Sequence, residues 1–169
     1  MNLAELYTTY KDMVFNLSLS YIQNIEEAEE ITQDVFVAVY QSMDTFQEKS
    51  SINTWIYRIT INKSLDYIKA KNRKKRLGVF ASLFYENTNE VKYEQPSFNH
   101  PGVLLEQKES VEIIFNHINQ LPDNQKTALI LYKLEHQSLE SIAAIMNISS
   151  KAAESLIQRA KANLAKKIN

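Results

Sequence analysis

Apolar side chains recur every three or four residues along most of the chain, which is the spacing of helices with one buried face. The near absence of glycine and proline also favours long helices over a many-stranded sheet. The pattern predicts an all-α fold of two small helical domains, at residues 1–76 and 109–169, joined by a linker at 77–108. The predicted helices cover 3–21, 26–43 and 52–76, and then 110–121, 123–135, 139–146 and 150–168.

The third helix has a buried face that changes side halfway along. Ile52, Trp55, Ile56 and Ile59 share one stripe, whereas the apolar residues that follow lie on roughly the opposite side: Ile61, Leu65 and Ile68. Such a helix must pack against different elements in its two halves. Its second half is expected to present a polar face, with Asn62 and Lys63, next to a basic terminus.

The C-terminal helices have the pattern of a helix–turn–helix. Ser138 is a plausible N-cap, Asn147 suits a left-handed turn position, and Ser149 or Ser150 can begin the next helix. The side chains expected to point outward from that last helix are Lys151, Glu154, Ser155, Gln158, Arg159 and Lys161. This arrangement favours a DNA-binding unit whose second helix enters the major groove, and an αα-hairpin within a bundle is the alternative.

The net charge of −1 conceals a separation of charges along the sequence. Residues 26–34 contain five acids and no base, and residues 69–76 contain six bases and no acid. This layout suggests two surfaces for two different partners, with solvated helix ends as the simpler alternative. There is no cysteine, and the three histidines are scattered, so no metal site, cofactor site, catalytic residue or small-molecule substrate is predicted. No apolar run is long enough to span a membrane, so we expect a cytoplasmic protein.

Several segments in this order resemble the extracytoplasmic-function sigma factors of bacterial RNA polymerase. They are EEAEEITQDVFVAVYQSMDTF and FQEKSSINTWIYRITINKSLDYI in the first half, and INQLPDNQKTALILYKLE, SLESIAAIMNIS and ESLIQRAKANL in the second. The resemblance implies a non-enzymatic promoter-specificity subunit with sigma region 2 at the N-terminus and region 4 at the C-terminus. Its implied partners are the β′ and β subunits of core RNA polymerase, promoter DNA, and an anti-sigma factor, which in this family is often membrane-bound. The aromatic linker and the acidic second helix are the surfaces that we expect an anti-sigma factor to cover.

The resemblance also implies roles for individual residues. Polymerase binding is implied for Glu26, Glu27, Glu29, Glu30, Gln33, Asp34 and Phe36. Recognition and opening of the minus-ten element is implied for Lys49, Ser50, Trp55, Arg58, Asn62 and Lys63, and phosphate contacts for Lys69, Lys71, Arg73, Lys74, Lys75 and Arg76. Binding of the minus-thirty-five element is implied for Lys151, Glu154, Ser155, Gln158 and Arg159.

The reading helix departs from the common family sequence, because KAAESLI stands where members often have Gly-Thr-Val-Lys-Ser-Arg-Leu. Glu154 replaces a common basic residue there, and a carboxylate near DNA can accept a hydrogen bond from a cytosine amino group. The competing hypothesis is a self-sufficient regulator that binds a two-fold operator as a dimer through the same helix–turn–helix.

Overall fold

The computed structural model describes residues 2–47, 49–84 and 108–168, and within these ranges every regular element is a helix. Three helices form the N-terminal module and four form the C-terminal module, and a short 3₁₀ turn at Met43–Thr45 follows the second helix. The helices are α1 (Leu3–Ile22), α2 (Ile25–Ser42), α3 (Ile52–Phe84), α4 (Lys108–Asn119), α5 (Asp123–Lys133), α6 (Leu139–Met146) and α7 (Ser150–Ile168). The predicted all-α fold with two modules is confirmed.

Side-chain caps fix where the N-terminal helices begin and end. Asn2 accepts a hydrogen bond from the backbone of Ala4, and Asn24 accepts one from Glu27, so both satisfy amide groups that a helix start leaves unpaired. Gln23 ends α1 in the left-handed conformation, with φ 54°. The tight Gln23–Asn24 turn therefore brings α2 directly back against α1.

The first half of α3 packs on α1 and α2, as its sequence predicts. Ile56 is fully buried, and the partly buried Ile52, Trp55 and Ile59 pack with it against one apolar cluster of the N-terminal module. The other buried members of that cluster come from α1 and α2: Leu6, Val14, Ile31, Val35, Phe36 and Val39.

The second half of α3 turns to a different partner, which confirms the predicted change of face. Ile61 joins Leu17 and Tyr21 of α1 in an apolar cluster that also contains buried residues of α5, α6 and α7, and Tyr57 from the first half of α3 reaches the same cluster. Leu65 and Ile68 pack against the same cluster. The two modules therefore share one core between them.

The helix–turn–helix has the geometry that its sequence predicts. Ser138 accepts a hydrogen bond from the backbone of Ser141 at the start of α6, and Asn147 ends this helix with φ 54° and ψ 48°. Of the two serines that could begin α7, Ser149 caps it by accepting from the backbone of Ala152 at 3.1 Å.

The predicted linker is partly helical, which corrects the interpretation of its first residues. α3 continues past Arg76 to Phe84, because LGVFASLF contains no proline and a single glycine costs only about 1 kcal/mol within a helix. The remaining linker residues 85–107, and the side chains of Phe80 and Phe84, lie outside the described residues. Among the helices that are described, none is both long and apolar enough to cross a membrane.

Candidate polymerase and nucleic-acid interfaces

The acidic face of α2 is open to solvent. Glu26, Glu29, Glu30, Gln33 and Asp34 are exposed, and the first of these lie in the opening turns of the helix, where its dipole favours negative charge. The residues that share this face can therefore meet a basic surface on another molecule.

Two residues predicted to bind polymerase are engaged inside the module instead. Glu27 forms an ion pair with Lys71 of α3 and is only partly exposed. Phe36 is buried, and its ring meets the edge of Tyr7 at 4.8 Å between centroids, because its helical position faces α1. The exposed apolar side chains of α2 are Val37 and Tyr40, at 54% and 66% exposure. They were not predicted from the sequence, although their helical spacing from Gln33 places them on the same side as the acids.

The basic end of α3 is exposed for most of its length. Arg73, Lys74, Lys75 and Arg76 have no ion-pair partner among the described residues, and their side chains lie in solvent. Two lysines nearer the middle of α3 that were predicted to contact phosphates are paired within the chain instead: Lys71 with Glu27, and Lys69 with Asp123 at 3.6 Å.

Tyr67 strengthens this junction between α3 and α2, because its hydroxyl donates to Glu30 at 3.3 Å. Burial and the neighbouring carboxylates of α2 raise the pKa of Tyr67 to about 12, so it remains a donor at neutral pH. The acidic and basic segments, which are separate in the sequence, therefore contact each other at the Glu27–Lys71 pair.

The residues predicted to hold the minus-ten element occupy different environments. Asn62 and Lys49 are exposed, and Ser50 and Lys63 are half-buried. Trp55 is half-buried against Phe46 at 4.8 Å between ring centroids, and it belongs to the apolar cluster of the N-terminal module. The indole thus supports the fold of the loop that precedes α3.

Arg58 contacts the C-terminal module directly. Its Nε donates to the backbone oxygen of Ile145 at 3.0 Å, and its Nη2 donates to that of Ala144 at 2.6 Å. These carbonyls lie in the last turn of α6, where a helix leaves oxygens unpaired and its dipole favours a cation. Beside Arg58, a cavity of about 390 Å³ opens between Asn62 on α3 and Asn147 in the turn of the helix–turn–helix.

Polar groups buried between the modules meet at Tyr21. Its hydroxyl shares a hydrogen bond of 2.7 Å with Thr127, and burial raises its pKa. The ammonium of Lys126 lies 5.2 Å above the Tyr21 ring. Burial lowers the pKa of Lys126 to about 8, although the nearby Asp123 acts in the opposite direction.

A second polar group at the junction is centred on Glu135. The Tyr57 hydroxyl donates to Glu135 at 3.1 Å, and Gln137 donates to the Tyr57 oxygen at the same distance. Burial raises the pKa of Glu135, and the hydrogen bond from Tyr57 opposes that shift.

The predicted reading face of α7 is accessible. Lys151, Glu154, Gln158 and Arg159 are exposed, and Ser155 is half-buried and accepts a hydrogen bond from Arg159 at 2.9 Å. The opposite face of the helix is buried through Ala153, Ile157 and Ala160. No group of histidine, aspartate or glutamate residues suited to a metal ion occurs within the described part of the chain.

Comparison with known proteins identifies this pair of modules. Residues 6–74 match the family model for Sigma-70 region 2, and residues 112–164 match the model for Sigma-70 region 4. The chain is 30% identical over 170 residues to the ECF RNA polymerase sigma factor SigW of Bacillus subtilis (strain 168), covering 98% of this chain and 88% of that protein. The chain belongs to the ECF family of RNA polymerase sigma factors.

Further similarities agree with this assignment. The sigma factor is 28% identical over 163 residues to the ECF RNA polymerase sigma-E factor of Escherichia coli (strain K12), covering 96% and 84% of the two chains. Its fold is similar to that of CnrH in complex with the cytosolic domain of CnrY, with TM-score 0.65, 18% identity and 98% and 86% coverage. It is also similar to the sigma factor RpoE in complex with the anti-sigma factor NepR from Bartonella quintana, with TM-score 0.61, 18% identity and 96% and 94% coverage.

Family membership decides between the functional hypotheses drawn from the sequence. A sigma factor is a transcription initiation factor that works with RNA polymerase and promoter DNA and is not an enzyme. The predicted function is therefore confirmed, and the alternative of a self-sufficient DNA-binding regulator is not favoured.

Proposed function

We propose that this sigma factor divides its work between the segments that the sequence predicts. Residues 1–76 bind core polymerase and open the minus-ten element, residues 77–108 connect the modules, and residues 109–169 bind the minus-thirty-five element. The protein acts in the cytoplasm, where its polymerase and promoter are found.

Polymerase binding is assigned to the exposed side of α2. Glu26, Glu29, Glu30, Gln33 and Asp34 supply negative charge for a basic partner surface, and Tyr40 and Val37 supply apolar area beside it. In such an interface the apolar centre contributes affinity, and the charged edges fix the orientation of the two partners. Glu27 and Phe36 hold the helix in place, so their contribution to this interface is structural.

Recognition of the minus-ten element is assigned to the exposed polar side of α3 and the loop before it. Asn62 carries this proposal, because its amide is exposed midway along a helix that ends in the basic run 73–76. An amide can donate to and accept from the edge of a base that has left the stack, and the arginines and lysines beyond it can bind phosphates. Lys49 and Ser50 of that loop, and Lys63 next to Asn62 in the sequence, complete the assignment.

Recognition of the minus-thirty-five element is assigned to the open face of α7. A helix that follows a tight turn and exposes Lys151, Gln158 and Arg159 has the geometry of a major-groove reader. Ser155 and Arg159 are joined by a hydrogen bond, which holds the guanidinium in one direction before DNA arrives. Glu154 adds an acceptor that suits a cytosine amino group.

Control by an anti-sigma factor is part of the proposal. An anti-sigma factor that blocks polymerase binding must cover the acidic side of α2. Val37 and Tyr40 provide exposed apolar area there that a stable protein–protein interface can bury. A sigma factor of similar fold, RpoE, has been solved with the anti-sigma factor NepR bound.

Reconstituted transcription tests the proposed division of work. Asn62→Ala should abolish opening of the promoter, followed by permanganate reactivity of unpaired thymines, while binding of the sigma factor to core polymerase stays at the wild-type level. Asn116→Ala, an exposed asparagine on α4, is the matched control and should leave both unchanged. Equal loss of opening and polymerase binding in Asn62→Ala would show a folding role and reject the assignment.

A further inference from the structure

A cavity of about 250 Å³ lies where α1, α2 and α3 meet α4 and α5. Among the described residues that line it are three lysines, Lys71, Lys75 and Lys126, and one carboxylate, that of Glu27. We propose that this cavity binds one inorganic phosphate ion, which accepts hydrogen bonds from the lysines and donates its remaining proton to Glu27. The site is separate from the helix that reads the minus-thirty-five element and from Asn62.

Lys126 is a buried cation without a counter-charge bonded to it. It is 3% exposed, and its ammonium makes no hydrogen bond or ion pair within the described part of the chain. The ammonium lies 5.2 Å from the ring centroid of Tyr21, which also lines the cavity. Asp123 attracts it at longer range but is itself paired with Lys69. Because buried charges are normally paired, the three N–H donors of Lys126 suit an anion in the cavity.

Glu27 presents an unused acceptor to the same cavity. Its Oε1 atom accepts from Lys71, whereas its Oε2 atom is buried and has no hydrogen-bond partner among the described residues. A buried acceptor without a partner is costly, so the site favours a ligand that brings a proton donor. An anion without any proton would place its own negative charge against this oxygen.

The balance of charge around the cavity favours an anion. Glu27 and Lys71 compensate each other as an ion pair, which leaves Lys75 and Lys126 without a compensating carboxylate bonded to them among the described residues. Lys71 and Lys75 are four residues apart on α3, so their side chains lie on the same face of the helix. Asn72, which also lines the cavity, adds an amide donor. An ion with one or two negative charges therefore balances the site.

Inorganic phosphate meets these requirements together. At neutral pH it is an anion that keeps at least one proton, so it can accept from the lysines and donate to Glu27 at the same time. Sulfate has a similar shape but no proton, and phosphate monoesters lose their last proton with a pKa of about 6. The cavity is smaller than the roughly 300–1,000 Å³ of sites for drug-sized ligands, which favours a small ion over a nucleotide. Asn72 and Lys75 are exposed, so the ion can enter from solvent.

Isothermal titration calorimetry of the full chain tests the site with three ligands at neutral pH and constant ionic strength. Potassium phosphate should show saturable binding of one ion per chain. Potassium sulfate should bind at least about tenfold more weakly, because a site that accepts a hydrogen bond from its ligand discriminates against an analogue without the donor. Adenosine monophosphate should also bind more weakly than phosphate. Absence of saturable phosphate binding, or binding of sulfate or adenosine monophosphate as tight as that of phosphate, overturns the proposal.

Two pairs of lysine variants locate the bound ion. Lys126→Met keeps the apolar stem, removes the buried charge and should abolish saturable phosphate binding, whereas Lys133→Met, at an exposed position of the same helix, should bind as the wild type does. Lys75→Met should weaken phosphate binding roughly two- to fivefold, as expected for a partly solvated ion pair. Lys74→Met changes the neighbouring exposed lysine, which does not line the cavity, and should have little effect.

Circular dichroism establishes that each of these variants is folded before it is titrated. The Lys75 and Lys74 variants alter exposed side chains, so they test the site even if Lys126→Met does not fold. Unchanged binding in a folded Lys126→Met variant, or equal losses in Lys74→Met and Lys75→Met, would mean that phosphate is attracted only to the basic end of α3. Either result rejects the site.

Glu27→Gln tests the acceptor for the phosphate proton. A glutamine amide can donate a hydrogen bond as well as accept one, so it can meet an anion that has no proton. The preference for phosphate over sulfate should therefore fall from at least about tenfold to near equality in this variant. Because the result is a ratio of two affinities for one protein, a general change in stability does not imitate it. A preference that stays at the wild-type value contradicts the assignment of Glu27 and, with it, the proposed phosphate site.

Discussion

The buried hydrogen bond between Tyr21 and Thr127 offers a quantitative test of coupling between the modules. Its 2.7 Å length and full burial mean that removing one partner leaves the other without a hydrogen bond in an apolar surrounding. Tyr21→Phe and Thr127→Val should each cost about 2 kcal/mol, within the range for an orphaned buried polar group. Replacing both partners together leaves no orphan, so the double variant should cost only about 1 kcal/mol.

Urea unfolding followed by Trp55 fluorescence and by circular dichroism measures these costs. For a slope of about 2 kcal/mol per molar urea, each single variant should lower the midpoint by about 1 M, and the double variant by less than either. Tyr7→Phe, which alters a 48% exposed tyrosine of the same helix, is the control and should shift the midpoint little. Additive losses, or two separate transitions of which only one responds, would refute the reasoning that the modules share a core.

Three further predictions concern the junction, the turn and the basic run. The pKa of Lys126 is lowered to about 8 in the folded state, so the free energy of unfolding should rise between pH 8 and the ordinary pKa of 10.5. Lys126→Met should abolish that rise and should stabilise the protein at pH 7 by up to about 3 kcal/mol. Ser138→Ala should lower the stability of the C-terminal module by about 1 kcal/mol in thermal unfolding, because α6 loses its N-cap. Lys74→Ala combined with Lys75→Ala should weaken promoter binding uniformly across sequences and reduce the slope of log affinity against log salt by roughly 1.5, whereas a sequence-dependent loss would indicate base contacts.

Local geometry could be predicted from the sequence because it depends on neighbours in the chain. Three such predictions are confirmed: the N-cap at Ser138, the left-handed turn at Asn147 and the change of buried face after Ile59. Each of these features depends on residues within one or two helical turns. The end of α3 was misplaced for the same kind of reason. Loss of apolar periodicity after Arg76 indicates an unburied helix as readily as a linker, and α3 in fact continues to Phe84.

Contacts between distant segments could not be predicted, because periodicity indicates that a side chain is buried but not what buries it. Ile61 and Leu65 were expected to be covered, yet nothing in the sequence identifies the C-terminal module as their cover. Phe36 was assigned to the polymerase surface although it faces Tyr7, and the exposed neighbour Val37 was overlooked. Both side chains are apolar, and their positions around the helix axis decide that Phe36 is buried and Val37 is exposed.

The ion pair of Glu27 and Lys71 changes how the two charged segments work. In the sequence the acids of α2 and the bases of α3 are separate, and each was expected to serve its own partner. In the structure Glu27 of the acidic run and Lys71 of the basic run form an ion pair that joins the two helices. The hydrogen bond between Tyr67 and Glu30 lies beside this pair. These contacts join the start of α2 to α3, so that under the proposed function a polymerase bound on α2 would also set the direction of the basic end of α3. Loss of the Glu27–Lys71 ion pair should reduce promoter opening more than polymerase binding, because the acids stay exposed while the basic side chains proposed to bind phosphates lose their orientation.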